Sequence, residues 1–337
     1  MLTKTSLLHG VKWLLTGVLV IALMRKIDAR QIVATLAVVQ FPSLSFAIIL
    51  TFLVVAVDSY KLKISLSVLS PDVSVSWWTL IKIYYIALFI SILLPGGQLT
   101  GESVKAYKLF AHCSKKQAIL SVGVDKALGL NALLCVTWAL MVADVAMPFT
   151  ALRNLFLGLF VMVSLGMVLA FSVNWARMLH AVARRLPSPR LQPLFNHAIA
   201  FADIIAHASA SSPRLLQTFL CASLSQGLGV LSMYAFAHSA HLPVSPQTIG
   251  WMFGALGIIQ LFPFTVAGIG LREVSYAFFL TPYGINVNQT MAFCLALYLI
   301  LPINAIIGGG IYLSEHRQKH AITPESPSRQ RASEQST

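Results

Sequence analysis

The sequence predicts an all-α, polytopic helical membrane protein, and three observations support this fold class. Hydrophobic residues make up 57% of the 337 residues and charged residues only 10%, whereas soluble domains carry roughly 25% charged residues. The mean hydropathy is +0.77. Several stretches, among them 154–176 and 215–237, exceed the ~18 apolar residues that indicate a membrane-spanning helix.

Six stretches are long enough to cross a bilayer as complete helices. The first follows Lys4 and Lys12 and lacks a small-x-small cleavage site, so we expect a retained anchor and not a signal peptide. We expect residues 1–314 to form one transmembrane domain and the basic, Pro/Ser-rich residues 315–337 to form a disordered cytoplasmic tail. The predicted spans are 8–24, 43–60, 118–143, 150–172, 213–236 and 288–313.

Two further apolar stretches, 78–112 and 247–282, are interrupted by Pro and Gly. Their longest uninterrupted runs, 83–94 and 271–281, would make only about 18 Å of helix, too short for a hydrocarbon core of about 30 Å. The loops flanking the second stretch contain no Lys or Arg, so both flanks are predicted to be external. We therefore predict two re-entrant hairpins, the first entering from the cytoplasm and the second from outside. Such pairs are typical of inverted-repeat transporters.

The orientation of the first two helices stays open, because Arg25, Lys26 and Arg30 would lie outside if the N-terminus is inside. The net charge of +13 comes from connecting loops, where cations orient a membrane protein, and we expect no nucleic-acid partner. No nucleotide-binding loop, zinc-ligand cluster or nucleophile elbow is present. We therefore expect no cofactor, no metal site, no catalytic residue and no enzymatic activity.

Arg272 and Glu273 are the only Lys, Arg, Asp or Glu residues between Arg214 and Glu315. A charge at the centre of a membrane helix costs roughly 2.5–3.5 kcal/mol on insertion scales. Adjacent helical residues point about 100° apart, so these two cannot pair well with each other and each needs another partner. The candidate partners are Glu102, Lys105, Asp125 and Lys126.

We predict one shared anion site at two half-helices that begin at Gly101 and Gly270. Helix N-termini expose free backbone N–H groups and a partial positive charge, which favours a phosphate or carboxylate. Arg272 would be the main phosphate ligand because a guanidinium can hold two oxygens, with two lysines assisting. The carboxylates would hold these cations in place or couple transport to protons. The predicted binding residues are Gly101, Glu102, Lys105, Asp125, Lys126, Gly268, Gly270, Arg272 and Glu273.

Structural interpretations of the same residues stay open beside this one. Glu102 and Glu273 in the first turn of a helix would complement its dipole, and Asp125 with Lys126 could form an interfacial pair. Asp58 and Lys82 near helix ends are interpreted as snorkelling residues. The aromatic residues interpreted as an interfacial belt are Trp77, Trp78, Tyr84 and Tyr85.

Three motifs, "LLPGGQLTGESVKAY", "AILSVGVDKALGL" and "TVAGIGLREVS", resemble the lysylphosphatidylglycerol synthase transmembrane-region family of flippase-like proteins over about residues 10–315. The resemblance implies movement of lipids or lipid-linked sugars between leaflets. It departs at Glu102 and Lys105, where the family usually has Asp and Arg, and at Lys126, where it usually has Arg. No soluble aminoacyl-transfer domain follows the last helix, so we expect that the chain is not the synthase itself. The residues that the resemblance singles out are Pro95, Gly101, Glu102, Asp125, Gly268, Gly270, Arg272 and Glu273.

The resulting hypothesis is a lipid or lipid-linked glycan translocase in a bacterial or archaeal inner membrane. Its partners would be an anionic phospholipid or lipid-linked sugar, with lipid-biosynthetic enzymes and a second copy of the chain left open. Two alternatives remain: a membrane-embedded lipid or glycolipid transferase, and a lipid-binding scaffold that transports nothing. Product formation would mark the transferase, leaflet exchange the translocase, and neither activity the scaffold.

Overall fold

The computed structural model of the chain describes residues 39–93, 98–172, 212–261 and 268–322. Within these ranges the chain is helical and contains no strand. The helices are α1 (Phe41–Leu69), α2 (Trp77–Leu93), α3 (Gln98–Leu109), α4 (Lys115–Ala143), α5 (Thr150–Ser172), α6 (Ser212–Ser239), α7 (Pro246–Ile259), α8 (Leu271–Leu280), α9 (Val287–Tyr298) and α10 (Ile300–Ile322), with a 3₁₀ turn at Thr281–Tyr283.

Five long apolar segments of the described residues can cross a membrane: α1, α4, α5, α6 and α9 joined to α10. They confirm five of the six predicted spans, and the first predicted span, 8–24, lies outside the described residues. Helix α10 continues to Ile322, past the predicted start of the tail at 315. Residues 323–337 lie outside the described part. The chain is therefore an all-α, multi-pass membrane protein.

Two boundaries differ from the sequence prediction. Helix α1 ends at Leu69 and not near 60, because its last third packs inside the protein, with Leu62, Ser65 and Leu66 buried. Helix α2 has 17 residues and rises about 25 Å, longer than the predicted run of 83–94, because it already begins at Trp77. Helix α8, by contrast, matches the predicted short run that starts at Leu271.

Both Pro/Gly-broken stretches fold as two packed helices. The first hairpin consists of α2 and α3, and the second of α7 and α8; in each, the two helices contact one another. Re-entry from one face of a membrane stays a prediction for both. The predicted turn at Pro95 lies outside the described residues, as does most of the loop before Gly268.

Each hairpin has its own hydrophobic core. The first core is formed by α1, α2, α3 and α4, and includes Leu62, Leu80 and Leu109. The second is larger and aromatic, with Trp251 against Phe279 and Tyr276 against Phe293. Helices α1 and α6 pack along each other, and this contact brings the two cores together around a common space.

Candidate functional site

A cavity of about 460 Å³ lies between the two hairpins. Its wall includes residues of α1, α2, α3, α4, α6, α7 and α8, so it is formed by both halves of the chain. Most of the predicted binding residues line it, whereas Gly268, Gly270 and Glu273 do not. The predicted residues in the wall are Gly101, Glu102, Lys105, Asp125, Lys126 and Arg272.

Ion pairs connect the charged residues that the first hairpin and its neighbours contribute to the cavity. Glu102 lies between two ammonium groups, with its carboxylate 2.6 Å from Lys105 and 3.4 Å from Lys126. Lys126 also donates to the Gln98 side chain over 2.9 Å. Lys105 lies over the Tyr84 ring, 4.1 Å from its centroid. We call Asp58, Lys61, Glu102, Lys105, Asp125 and Lys126 the charged cluster.

Lys61 was not predicted as a site residue, and Asp58 was interpreted as snorkelling. The latter interpretation is wrong: both residues line the cavity and the side chain of Lys61 is only 8% exposed. The Lys61 ammonium lies 3.2 Å from Asp58 and 3.5 Å from Asp125. The sequence contains a signal for the pair of Asp58 and Lys61, since residues three apart share a helix face. The prediction missed this pair because it ended the helix near residue 60, between the two residues.

Gly101 occupies a different place from the one predicted. Helix α3 begins at Gln98, so Gly101 lies within its first turn and Glu102 falls outside the acidic first-turn position. A Cβ on Gly101 would lie 3.4 Å from the Ala87 carbonyl oxygen. Gly101 therefore allows α3 to pack closely on α2, and the helix-dipole interpretation of Glu102 is not supported.

The second hairpin presents Arg272 to the same cavity. Its guanidinium lies over the Tyr298 ring, 5.3 Å from the centroid, a distance at which a cation is attracted by the ring face. Within the described ranges no carboxylate lies within ion-pair distance of Arg272. Arg272 is thus held by an aromatic ring and not by an acid, a partner that the sequence could not indicate.

Glu273 has a structural role at the start of α8. Its carboxylate accepts a 2.8 Å hydrogen bond from the Gly270 backbone N–H and another from the Tyr298 hydroxyl. Gly268 and Gly270 have φ angles of 75° and 84°, a region that other residues rarely adopt. The two glycines and Glu273 therefore shape the helix start that positions Arg272, which supports the helix-dipole interpretation of Glu273.

The aromatic residues of α2 divide between two environments. Trp78 is 69% exposed and Trp77 38% exposed, which fits the predicted interfacial belt. Tyr84 and Tyr85 are buried at 7% exposure, so the belt prediction is wrong for them. Tyr84 instead lines the cavity.

A comparison with known families gives one match over most of the chain. The sequence model of the family described as "Lysylphosphatidylglycerol synthase TM region" matches residues 11–308. No curated protein matches the sequence. The matched range contains both hairpins, the charged cluster and Arg272, and the chain belongs to the family of lysylphosphatidylglycerol synthase transmembrane regions.

Proposed function

We propose that the protein is a translocase for a lipid or lipid-linked glycan with an anionic headgroup. The observation that carries this proposal is the cavity of about 460 Å³ shared by the two hairpins, which contains charged side chains within an otherwise apolar membrane protein. Charges in such surroundings are expensive and commonly mark a substrate pathway. Membership of the family supports a lipid-related role in the membrane.

The charges of the cavity favour an anionic headgroup. Three carboxylates and four cations line it, which gives a net charge of +1 when every group is ionised. The three lysines lie within 4 Å of carboxylates, whereas Arg272 lies over Tyr298 and has no carboxylate within 4 Å among the described residues. A guanidinium can bind two phosphate oxygens at once. Arg272 is therefore the proposed phosphate ligand, and the lysines of the charged cluster are secondary.

The helix packing supports an inverted repeat, in which α1, the first hairpin and α4 correspond to α6, the second hairpin and α9–α10. Helix α1 packs on α2 as α6 packs on α7, and α3 contacts α4 as α8 contacts α9. The first helix of each hairpin also crosses to the other half, α2 onto α10 and α7 onto α4. Hairpins in corresponding positions would alternately open one cavity to either leaflet.

We propose transport and not catalysis, in a bacterial or archaeal inner membrane. Glu102 and Asp58 lie 2.6 Å and 3.2 Å from ammonium groups, an arrangement suited to counter-ions. Glu102 and Asp58 are therefore poorly placed to act as a general acid or base, which needs a carboxyl group free to exchange its proton with the substrate. A transferase would form a new lipid product in purified membranes, which makes the two activities separable.

The test is a leaflet-exchange assay in sealed proteoliposomes with fluorescent anionic lipids quenched from outside. We expect exchange by the native protein and a loss of about tenfold to a hundredfold in Arg272→Ala, since a charge-assisted pair is worth about 1.5–3 kcal/mol. Lys63→Ala is the matched control, because Lys63 is an exposed cation of α1 outside the cavity lining. Unchanged exchange in Arg272→Ala would refute the assignment of Arg272. Absence of exchange across phosphatidate, phosphatidylglycerol and lipid-linked sugars would refute transport.

A further inference from the structure

Three carboxylates of the described residues are buried: Asp125, Asp144 and Glu273. Asp144 accepts hydrogen bonds from Thr248, Trp251 and Tyr283 over 2.8, 2.9 and 2.8 Å, and a fourth from a backbone N–H over 3.2 Å. Glu273 accepts a backbone bond of 2.8 Å and a second from a tyrosine hydroxyl. The protein therefore provides both of these carboxylates with close hydrogen-bond donors.

Asp125 is the exception among the three. It is 2% exposed, and its nearest polar partners among the described residues are the Tyr84 hydroxyl and the Lys61 ammonium, both at 3.5 Å. Hydrogen bonds and ion pairs to a carboxylate are normally 2.5–2.9 Å long. A buried charge without close partners is expensive, and a carboxyl group avoids this cost by binding a proton.

The surroundings of Asp125 allow the proton to come and go. Lys61 is three residues from Asp58 on α1 and lies closer to it, at 3.2 Å, so its ammonium keeps a partner when Asp125 is neutral. Gly129 on α4 leaves room for that ammonium, since a Cβ there would lie 3.2 Å from it. The charged or titratable groups that surround Asp125 and Lys61 are Asp58 on α1, Tyr84 on α2, Glu102 and Lys105 on α3, Lys126 on α4, and Cys221 on α6.

We propose that Asp125 is a proton-binding site through which the headgroup is co-transported with one proton. The proposal rests on the translocase function proposed above. Protonation of Asp125 raises the net charge of the cavity lining from +1 to +2, which strengthens attraction for an anionic headgroup. By linkage, headgroup binding favours proton uptake to the same extent. One monoanionic headgroup and one proton move together without net charge.

The first experiment measures the steady-state distribution of a tracer amount of labelled phosphatidylglycerol across proteoliposomes with a pH gradient. Coupling of one proton to one lipid predicts a shift of about tenfold in the leaflet ratio per pH unit, away from the acidic side. The shift should be insensitive to a potassium-diffusion potential. A ratio that ignores the pH gradient, or that follows the membrane potential, would overturn the proposal while exchange itself upholds the translocase.

For Asp125→Asn, the leaflet ratio in a pH gradient is compared with the ratio of the same variant at equal pH on both sides. A change in the exchange rate of the variant therefore does not affect the comparison. We expect its leaflet ratio to stay at one in any pH gradient. Asp72→Asn is the matched control, because Asp72 is an exposed loop carboxylate outside the cavity lining, and it should keep the native response. A native response in Asp125→Asn would assign the proton to another group.

A second measurement does not depend on transport. Infrared difference spectra of the full-length protein in lipid should show the C=O absorption of a protonated carboxyl group as the pH falls. We expect Asp125→Asn to lose that absorption and Asp144→Asn to keep it, since the Asp144 carboxylate already accepts hydrogen bonds of 2.8–2.9 Å from three side chains. Identical spectra for native protein and Asp125→Asn would exclude the proton site even if no lipid tested were exchanged.

Discussion

The two hairpins have the same arrangement of helices but satisfy their polar groups differently. In the first, Glu102 on α3 binds Lys126 on α4 through an ion pair. In the second, Glu273 on α8 accepts a hydrogen bond from Tyr298 on α9. The acid of the first hairpin is therefore paired with cations, whereas the Arg272 guanidinium of the second has no carboxylate within 4 Å among the described residues. The same helix arrangement thus places paired charges on one side of the cavity and Arg272, the proposed phosphate ligand, on the other.

The attachment of each hairpin to the opposite half shows the same contrast. The second hairpin is fastened at its open end to Asp144, the residue after α4, by Thr248 and Trp251 of α7 and by Tyr283 after α8. Burial and the hydrogen bond to Asp144 raise the pKa of the Tyr283 phenol, so it remains a donor. The first hairpin is fastened by Lys108 of α3 to Glu315 of α10, a partly exposed ion pair.

The largest expected effect separates these two attachments. Asp144→Ala removes the acceptor of three side-chain donors, and we expect a loss of about 3 kcal/mol in the free energy of unfolding. Glu315→Ala removes a pair whose acid is 35% exposed and should cost less than about 1 kcal/mol. Thermal unfolding of the variants in the same detergent measures these losses, and we expect the loss in Asp144→Asn to lie between those in Asp144→Ala and Glu315→Ala. Equal losses for both alanine variants would show that the attachments do not differ in strength.

The next effect concerns the glycines that let each hairpin pack on the opposite half. A Cβ on Gly308 of α10 would clash with the Tyr85 backbone oxygen of α2, and a Cβ on Gly254 of α7 would clash with the Thr137 side chain of α4. Neither a helix carbonyl nor the short, buried Thr137 side chain can move aside readily, so we expect Gly308→Ala and Gly254→Ala each to cost about 2 kcal/mol.

Gly310→Ala, on the same helix, is the control for this prediction, since in the described part of the chain no neighbouring helix comes within 4 Å of the position of its Cβ. Its melting temperature should match that of the native protein in the detergent used for the other variants. A drop in Gly310→Ala as large as in Gly308→Ala would indicate an effect of helix composition and not of contact between α10 and α2.

Much of the fold could be predicted because it follows from apolar length and from chain breakers. The five described spans and the start of α8 after Gly270 lie close to their predicted positions. The end of α1 could not be predicted, because Lys61 lies in a stretch whose burial depends on α2 and α4. In a helix surrounded by lipid, a charged residue is expected near the end of the helix. Lys61 can lie within α1 because it is buried in the protein and paired with Asp58 and Asp125.

The partners of the site residues were harder to predict than the residues themselves. The pairing of Glu102 with Lys105 follows from their spacing on one helix. Tyr298 lies 25 residues after Glu273 on another helix, and no pattern in the sequence connects them. No pattern in the sequence indicates the partners of Asp144 either, because its three side-chain donors come from 104 to 139 residues further along.

The smallest expected effect compares the tyrosines that face a buried carboxylate in each half. Tyr298→Phe keeps the ring beneath Arg272 but removes the donor to Glu273, and we expect a cost of about 1 kcal/mol. Tyr84→Phe removes only a 3.5 Å contact with Asp125 and should change stability by less than about 0.5 kcal/mol. Thermal unfolding of both variants at neutral pH measures the difference. A cost in Tyr84→Phe equal to that in Tyr298→Phe would mean that Asp125 is firmly hydrogen-bonded, which would remove the reason for it to bind a proton.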